Sequence, residues 1–389
     1  MNVRALVLGL GLALVGVPAS AQSIFNSAGI GLPMEGLDGR ARALGSFGIG
    51  LPGASITPTD PAAAARVFLP AGLIVAQPTW VELDEEGGTE RRKFRGTRFP
   101  LLGIAYPVFR GTMTLHMAAV FDQSYRGERA VDVELGGVTT PARDVFEQTG
   151  SVSSLSLGYA RLLNPATAVG VSVGRYVGTV DRSLVRDYGE TSVGQVEDYQ
   201  SSGSWSYAGE SVTGGVSTEI FGAVQIGASA TLSTDLSADP TGSTEGGERS
   251  FQVPLQLRIG ASSVLSPGLS LSASAVRADW SGTSDEIGSS SSAGSVTGFG
   301  VGMELSQVRL LGRVAPVRVG FRRTGLPFSI GGADASERVF SGGLALLLNE
   351  AEGIVLATTD FAVERGRRSA GSFSEDFWRG TVSLRLSGF

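Results

Sequence analysis

The sequence holds one histidine, His116, and no cysteine. Acyl-transfer catalysis of the serine type needs a hydroxyl beside a base that a third group orients. His116 is the only imidazole available for that role. It stands in "MTLHMAAVF" on the face shared with Thr112 and Thr114, where a lone histidine reads first as a polar lining residue. Zinc-type sites need clustered His and Cys ligands, and none is present. The glycine runs "GLGLALVG" and "GFGVGM" are not phosphate loops: the first lies in an apolar leader and the second alternates like a strand. We therefore expect no catalytic residues, no metal and no cofactor, and a protein that is not an enzyme. The chemistry left is charge. Arg258, Arg318, Arg322 and Arg385 sit on the polar faces of extended segments. They can line an aqueous interior, pair with carboxylates such as Glu35, Asp38 and Asp60, or hold a ligand's carboxylate head. Lining or pairing is the simpler reading, and ligand binding the sharper one.

What would position such residues is a set of strands. In "SFQVPLQLRIGASS", Phe251, Val253, Leu255, Leu257 and Ile259 share one face and Gln252, Gln256 and Arg258 the other. In "MTLHMAAVF", Met113, Leu115, Met117, Ala119 and Phe121 share a face. The chain ends "EDFWRGTVSLRLSGF", with Val382, Leu384 and Leu386 opposite Thr381, Ser383 and Arg385. Period-two patterning with small polar residues opposite is the signature of membrane-crossing strands. About fourteen such runs follow residue 70. Short connections, such as Pro107–Gly111 and Ser266–Gly268, alternate with longer ones, such as Arg126–Gln148, Asp235–Arg249 and Gly366–Ser374. An even strand count with short turns on one side and long loops on the other fits a closed barrel. A strand at the C-terminus is then needed to close the ring. In a bilayer an outward arginine costs about 2–4 kcal/mol at the midplane, so the four arginines face the lumen.

The remaining composition agrees. The 389 residues include 56 glycines spread through strand-like runs, and the net charge of −6 gives no basis for binding nucleic acid. The first 21 residues have Arg4, an apolar stretch from Ala5 to Val17, and Ala19-Ser20-Ala21 before Gln22. This is a cleavable signal peptide, and no later segment has about 20 unbroken apolar residues. The expected organisation is a signal peptide at 1–21, a plug or hatch at 22–70, and a fourteen-stranded outer-membrane β-barrel at 71–389. The fold class is all-β, a transmembrane antiparallel barrel. Residues 22–70 do not alternate, and a lumen of fourteen strands is too wide for wall side chains alone to fill.

In "RALGSFGIGLPGASITPTDPAAAA", Arg42-Ala43-Leu44-Gly45 and Asp60-Pro61-Ala62 precede the strands, and "APVRVGFRRTGLPF", "RVFSGGLAL" and "DFWRGTVSLRL" end them. This order resembles the FadL-type outer-membrane transporter family, which includes PorV-like relatives. Its members carry a Gly-rich segment and an Asn-Pro-Ala box, then fourteen strands; Asp60 replaces that Asn. The resemblance implies passive uptake of hydrophobic small molecules such as long-chain fatty acids or hydrocarbons, gated by the plug. It also implies outer-membrane lipid and the barrel-assembly machinery as partners, although Phe389 is out of phase with Val382, Leu384 and Leu386. The alternative within the same barrel is a PorV-like scaffold that binds secreted proteins at the cell surface. The candidate ligand groove is Val131, Val133, Leu135, Val145 and Phe146, apolar residues that a solvated loop does not need. The family opens its wall by an inward kink of strand three; here no Gly or Pro lies between Thr112 and Tyr125 to make one.

Overall fold

The computed structural model describes residues 23–85, 92–189, 197–286, 292–310, 312–351 and 354–388. The expected signal peptide at 1–21 and the terminal Phe389 lie outside the described residues. Fourteen antiparallel strands close into one ring. They are β1 (Ala71–Glu85), β2 (Arg92–Val108), β3 (Gly111–Asp122, resumed as Tyr125–Leu135), β4 (Val138–Leu162), β5 (Thr167–Asp187), β6 (Tyr199–Ile220) and β7 (Val224–Ser233, resumed as Leu236–Thr241). Then come β8 (Arg249–Phe251, resumed as Gln256–Ser266), β9 (Leu269–Asp279), β10 (Ser295–Leu305), β11 (Val317–Gly325), β12 (Ser336–Ala351), β13 (Ile354–Ala370) and β14 (Phe373–Ser387). β14 pairs with β1 from Ser387↔Ala71 to Phe373↔Glu85, so the last strand closes the ring. A closed ring leaves no backbone edge in the bilayer.

The alternation sorts the two faces. Leu102, Ile104, Leu115, Met117, Leu155 and Leu157 point outward and are exposed, while Thr112, Thr114, His116, Ser154 and Ser156 point inward and are buried. Among the described residues no helix is long and apolar enough to cross a membrane. A crossing strand needs about 9–11 residues. β4 has 25 residues and β6 has 22, so much of each stands beyond the bilayer.

Several connections differ from expectation. Arg126–Gln148 is not a loop: Tyr125–Leu135 and Val138–Gln148 form a hairpin, because the alternation simply continues past the membrane. The connection at Gly366–Ser374 shrinks to a tight turn at Gly371, since β13 runs to Ala370 and β14 starts at Phe373. Asp235–Arg249 carries the outer stretch of β7, paired with β6.

Residues 23–70 run inside the ring. An irregular chain there must find partners for its backbone groups, and the wall supplies hydroxyls. Ser383 Oγ accepts from Gly39 N at 2.6 Å, while Ser262 Oγ donates to Gly50 O at 2.9 Å, Ser229 Oγ to Thr59 O at 2.6 Å and Thr112 Oγ1 to Val67 O at 3.0 Å. The helix α1 (Gly39–Ala43) is capped by Asp38, whose Oδ1 accepts from the Arg40 and Ala41 amides. Wall glycines let the segment sit against bare backbone: a Cβ on Gly320 would lie 2.3 Å from Leu44 C, and one on Gly260 would lie 2.2 Å from Ile49 O.

Candidate functional site

A cavity remains inside the barrel above α1. One wall is apolar and includes Leu32, Met34, Val276, Trp280 and Val296. Behind it an aromatic cluster packs edge to face, with Trp280 5.8 Å from both Phe121 and Phe328. A buried charge network borders the cavity as well, through Arg42, Arg322, Glu337, Arg368 and Arg379. Glu364 meets Arg42, Arg322 and Arg379; Glu337 meets Arg322 and Arg368; Glu375 meets Arg368. Four guanidiniums face three carboxylates, one positive charge in excess. Buried charges survive only when paired and hydrogen-bonded. Ser23 Oγ completes the set by donating to Glu375 at 2.7 Å. Arg368 and Arg379 also clasp the Phe377 ring, at 4.4 and 4.8 Å from its centroid. The network ties Ser23 and Arg42 of the inner segment to β11–β14.

The wall parts beside this cavity. β2 pairs with β3 from Leu101↔Ala118 to Val108↔Gly111 and no further. Beyond that point Arg92–Arg98 keep their pairing with β1. Phe121 and Asp122 keep theirs with Val152 and Ser151 of β4. On their other edge they pair with Pro33 and Leu32 of the inner segment, not with β2. The tip of β3 has therefore bent into the lumen. The cause is a register slip between Ala119 and Phe121, a bulge. So the kink forms without glycine or proline, contrary to the reading of Thr112–Tyr125. The same slip turns Phe121 from the lipid side to full burial. The shared face expected for Met113 to Phe121 breaks there. A second break lies at Gln252–Leu255, between the two parts of β8. Phe251 and Val253 face inward, while Leu255, Leu257 and Ile259 face outward. Pro254 inside a strand-like run was the available signal.

The expected site residues fall as follows. Gly45 has φ +61° and abuts the Phe321 backbone, a position closed to a side chain. Asp60 caps the turn Pro61–Arg66 through Ala63 N at 3.2 Å, and Pro61 and Ala62 are buried against Gly170. Arg258 makes two hydrogen bonds to Glu35, at 2.6 and 3.0 Å. Arg318 pairs with Glu304 and Asp360, and Arg322 joins the network. Arg385 donates to Ala54 O at 2.9 Å. Asp38 and Asp60 serve as caps and do not pair with these arginines. His116 is buried, and neither ring nitrogen has a partner among the described residues. In the hairpin, Val131, Val133, Leu135 and Phe146 share one face, which continues the inward face of β4, and Phe146 packs on Tyr125 at 6.0 Å. Val145 lies on the opposite face with Arg143. Sequence reasoning missed Glu337, Glu364, Glu375, Arg368 and Arg379, since alternation alone does not say which distant strands meet.

No protein-family model and no curated protein matches the sequence. Solved structures do match in fold. The toluene transporter TbuX of Ralstonia pickettii is 14% identical, with 91% of this chain and 98% of that one covered at a TM-score of 0.57. A FadL homologue of Pseudomonas aeruginosa is 11% identical, with 92% and 100% covered at 0.59. The toluene transporter TodX of Pseudomonas putida is 12% identical, with 92% and 99% covered at 0.58. At such identities the likeness is one of fold.

Proposed function

We propose that this chain, whose fold is that of the FadL-type outer-membrane channels, carries hydrophobic small molecules passively across the outer membrane. Its solutes are long-chain fatty acids or hydrocarbons. The observation that supports this reading is a half-apolar cavity beside a parted wall. Capture begins on the inward face of the hairpin, at Val131, Val133, Leu135 and Phe146. The solute then settles against Trp280 and Val296. Each methylene taken out of water contributes about 0.8 kcal/mol, so partitioning alone drives entry. Residues 22–70 act as the plug that stops aqueous leakage. Their seating against wall glycines favours a plug that stays in place and a solute that leaves sideways, between β2 and β3, into lipid.

Native mass spectrometry of the gently extracted barrel tests the reading. A stoichiometric fatty-acid or hydrocarbon adduct is expected, and Ala278→Trp, which fills the cavity, should abolish it. An adduct-free protein that also fails to speed entry of such solutes into vesicles would sink the proposal.

A further inference from the structure

An ion pair crosses the parted wall. Arg98 Nη1 of β2 donates to Asp122 Oδ2 of β3 at the level where their backbones no longer pair. Both residues also line the cavity, so the pair stands between the cavity and the opening. The two partners are held differently. Arg98 Nε donates to Gln77 Oε1 at 2.7 Å, and Gln77 Nε2 donates to Thr381 at 3.1 Å, which fixes the guanidinium to the intact side of the wall. Asp122 Oδ1 accepts from Ser124 N at 3.1 Å, on the bent side. If the pair parts, each group keeps one hydrogen bond and each loses one charge partner.

We infer that Arg98 and Asp122 form a threshold at the wall opening that favours solutes bearing a carboxylate. The inference rests on the uptake function proposed above. A fatty acid leaving the cavity can place its carboxylate on Arg98 as Asp122 swings away, exchanging one charge-assisted hydrogen bond for another. Asp122 keeps its Ser124 contact and turns its freed oxygen to water. A neutral solute of equal length has nothing to offer Arg98 and must part a largely buried ion pair without replacement, the costly case for buried charges. The pair therefore selects at the exit, by head group, after the cavity has selected by apolar length.

The test uses the full-length mature protein in vesicles with a lipopolysaccharide outer leaflet, supplied with radiolabelled dodecanoate or dodecanol. Wild type should admit dodecanoate faster than dodecanol, by about tenfold for a partly buried pair. In Arg98→Gln/Asp122→Asn that preference should vanish, through faster dodecanol entry. Equal entry of the two solutes in wild type, or an unchanged ratio in the double variant, would overturn the inference and leave the uptake function standing. Failure of both solutes to exceed the protein-free rate would instead overturn the uptake function. As a second variant, Arg98→Cys/Asp122→Cys exploits a chain without native cysteine. Joining its two thiols with a bifunctional methanethiosulfonate reagent should block entry of both solutes, with recovery on reduction. Undiminished entry through the cross-linked form would place the exit elsewhere and refute the threshold.

Discussion

Asp60 shows how one residue carries a cost that an asparagine in its place would not. Burial lifts its carboxyl to about 6, against the opposing pull of the Gly50 and Ala63 amides. An acid whose folded value is raised holds its proton more tightly when folded than when unfolded. Its contribution to the seating of residues 61–66 is thus full below about pH 4 and is lost as pH rises through about 6, by roughly 3 kcal/mol in the limit. Asp60→Asn retains an acceptor for Ala63 and removes the charge. It should make amide exchange across Pro61–Arg66, corrected for intrinsic rates, independent of pH between about 4 and 8. Wild type should lose protection over the same range. A flat wild-type profile would show that the carboxyl is not buried in its charged form.

At the scale of elements, the inner segment and the wall fit backbone to backbone. The 56 glycines look like a weakness in a β protein, since glycine weakens strands. Those at Gly260 and Gly320 pay for it by admitting Ile49 and Leu44 where any side chain would collide. Gly320→Val should therefore leave the ring intact and expel the segment around Leu44–Gly45. The expected result is a barrel that still shifts on heating in electrophoresis, yet passes small ions in planar bilayers and is cut by protease near Arg42. Gly214→Val is the control, because a Cβ there meets nothing within 4 Å. Equal behaviour of the two variants would mean that the segment is not held by this contact. The bulge at Ala119–Phe121 belongs to this scale too: one slipped residue turns a strand tip out of the wall and opens it.

For the whole molecule, the governing constraint is closure. β14 joins β13 on one side and β1 on the other. Deleting residues 373–389 exposes two edges in lipid, where each unpaired backbone group is expensive. No compact, heat-modifiable form should be recovered from such a chain. Excising the outer hairpin by joining Arg126 to Glu147 removes the hairpin pairing and the outermost pairs of β4 with β5, from Arg143↔Asp187 to Phe146↔Leu184, so the ring should still assemble while solute capture weakens. Loss of assembly in the second variant would mean that the hairpin nucleates the barrel.

Period-two alternation determined the strand class, the count of fourteen and the need for a terminal closing strand, because side-chain direction along a strand is a local property. It also assigned Arg258, Arg318 and Arg322 to the polar face. Three things were decided only in the folded chain. The hairpin at 125–148 looked like a loop because its many charged residues mask an alternation that continues past the membrane. The inward turn of Phe121 comes from a bulge that no single residue type announces. The charge network of Arg42, Arg322, Arg368 and Arg379 with Glu337, Glu364 and Glu375 joins positions hundreds of residues apart. Ring closure and the inner segment bring those positions together, and both are relations between distant strands that a local pattern does not encode.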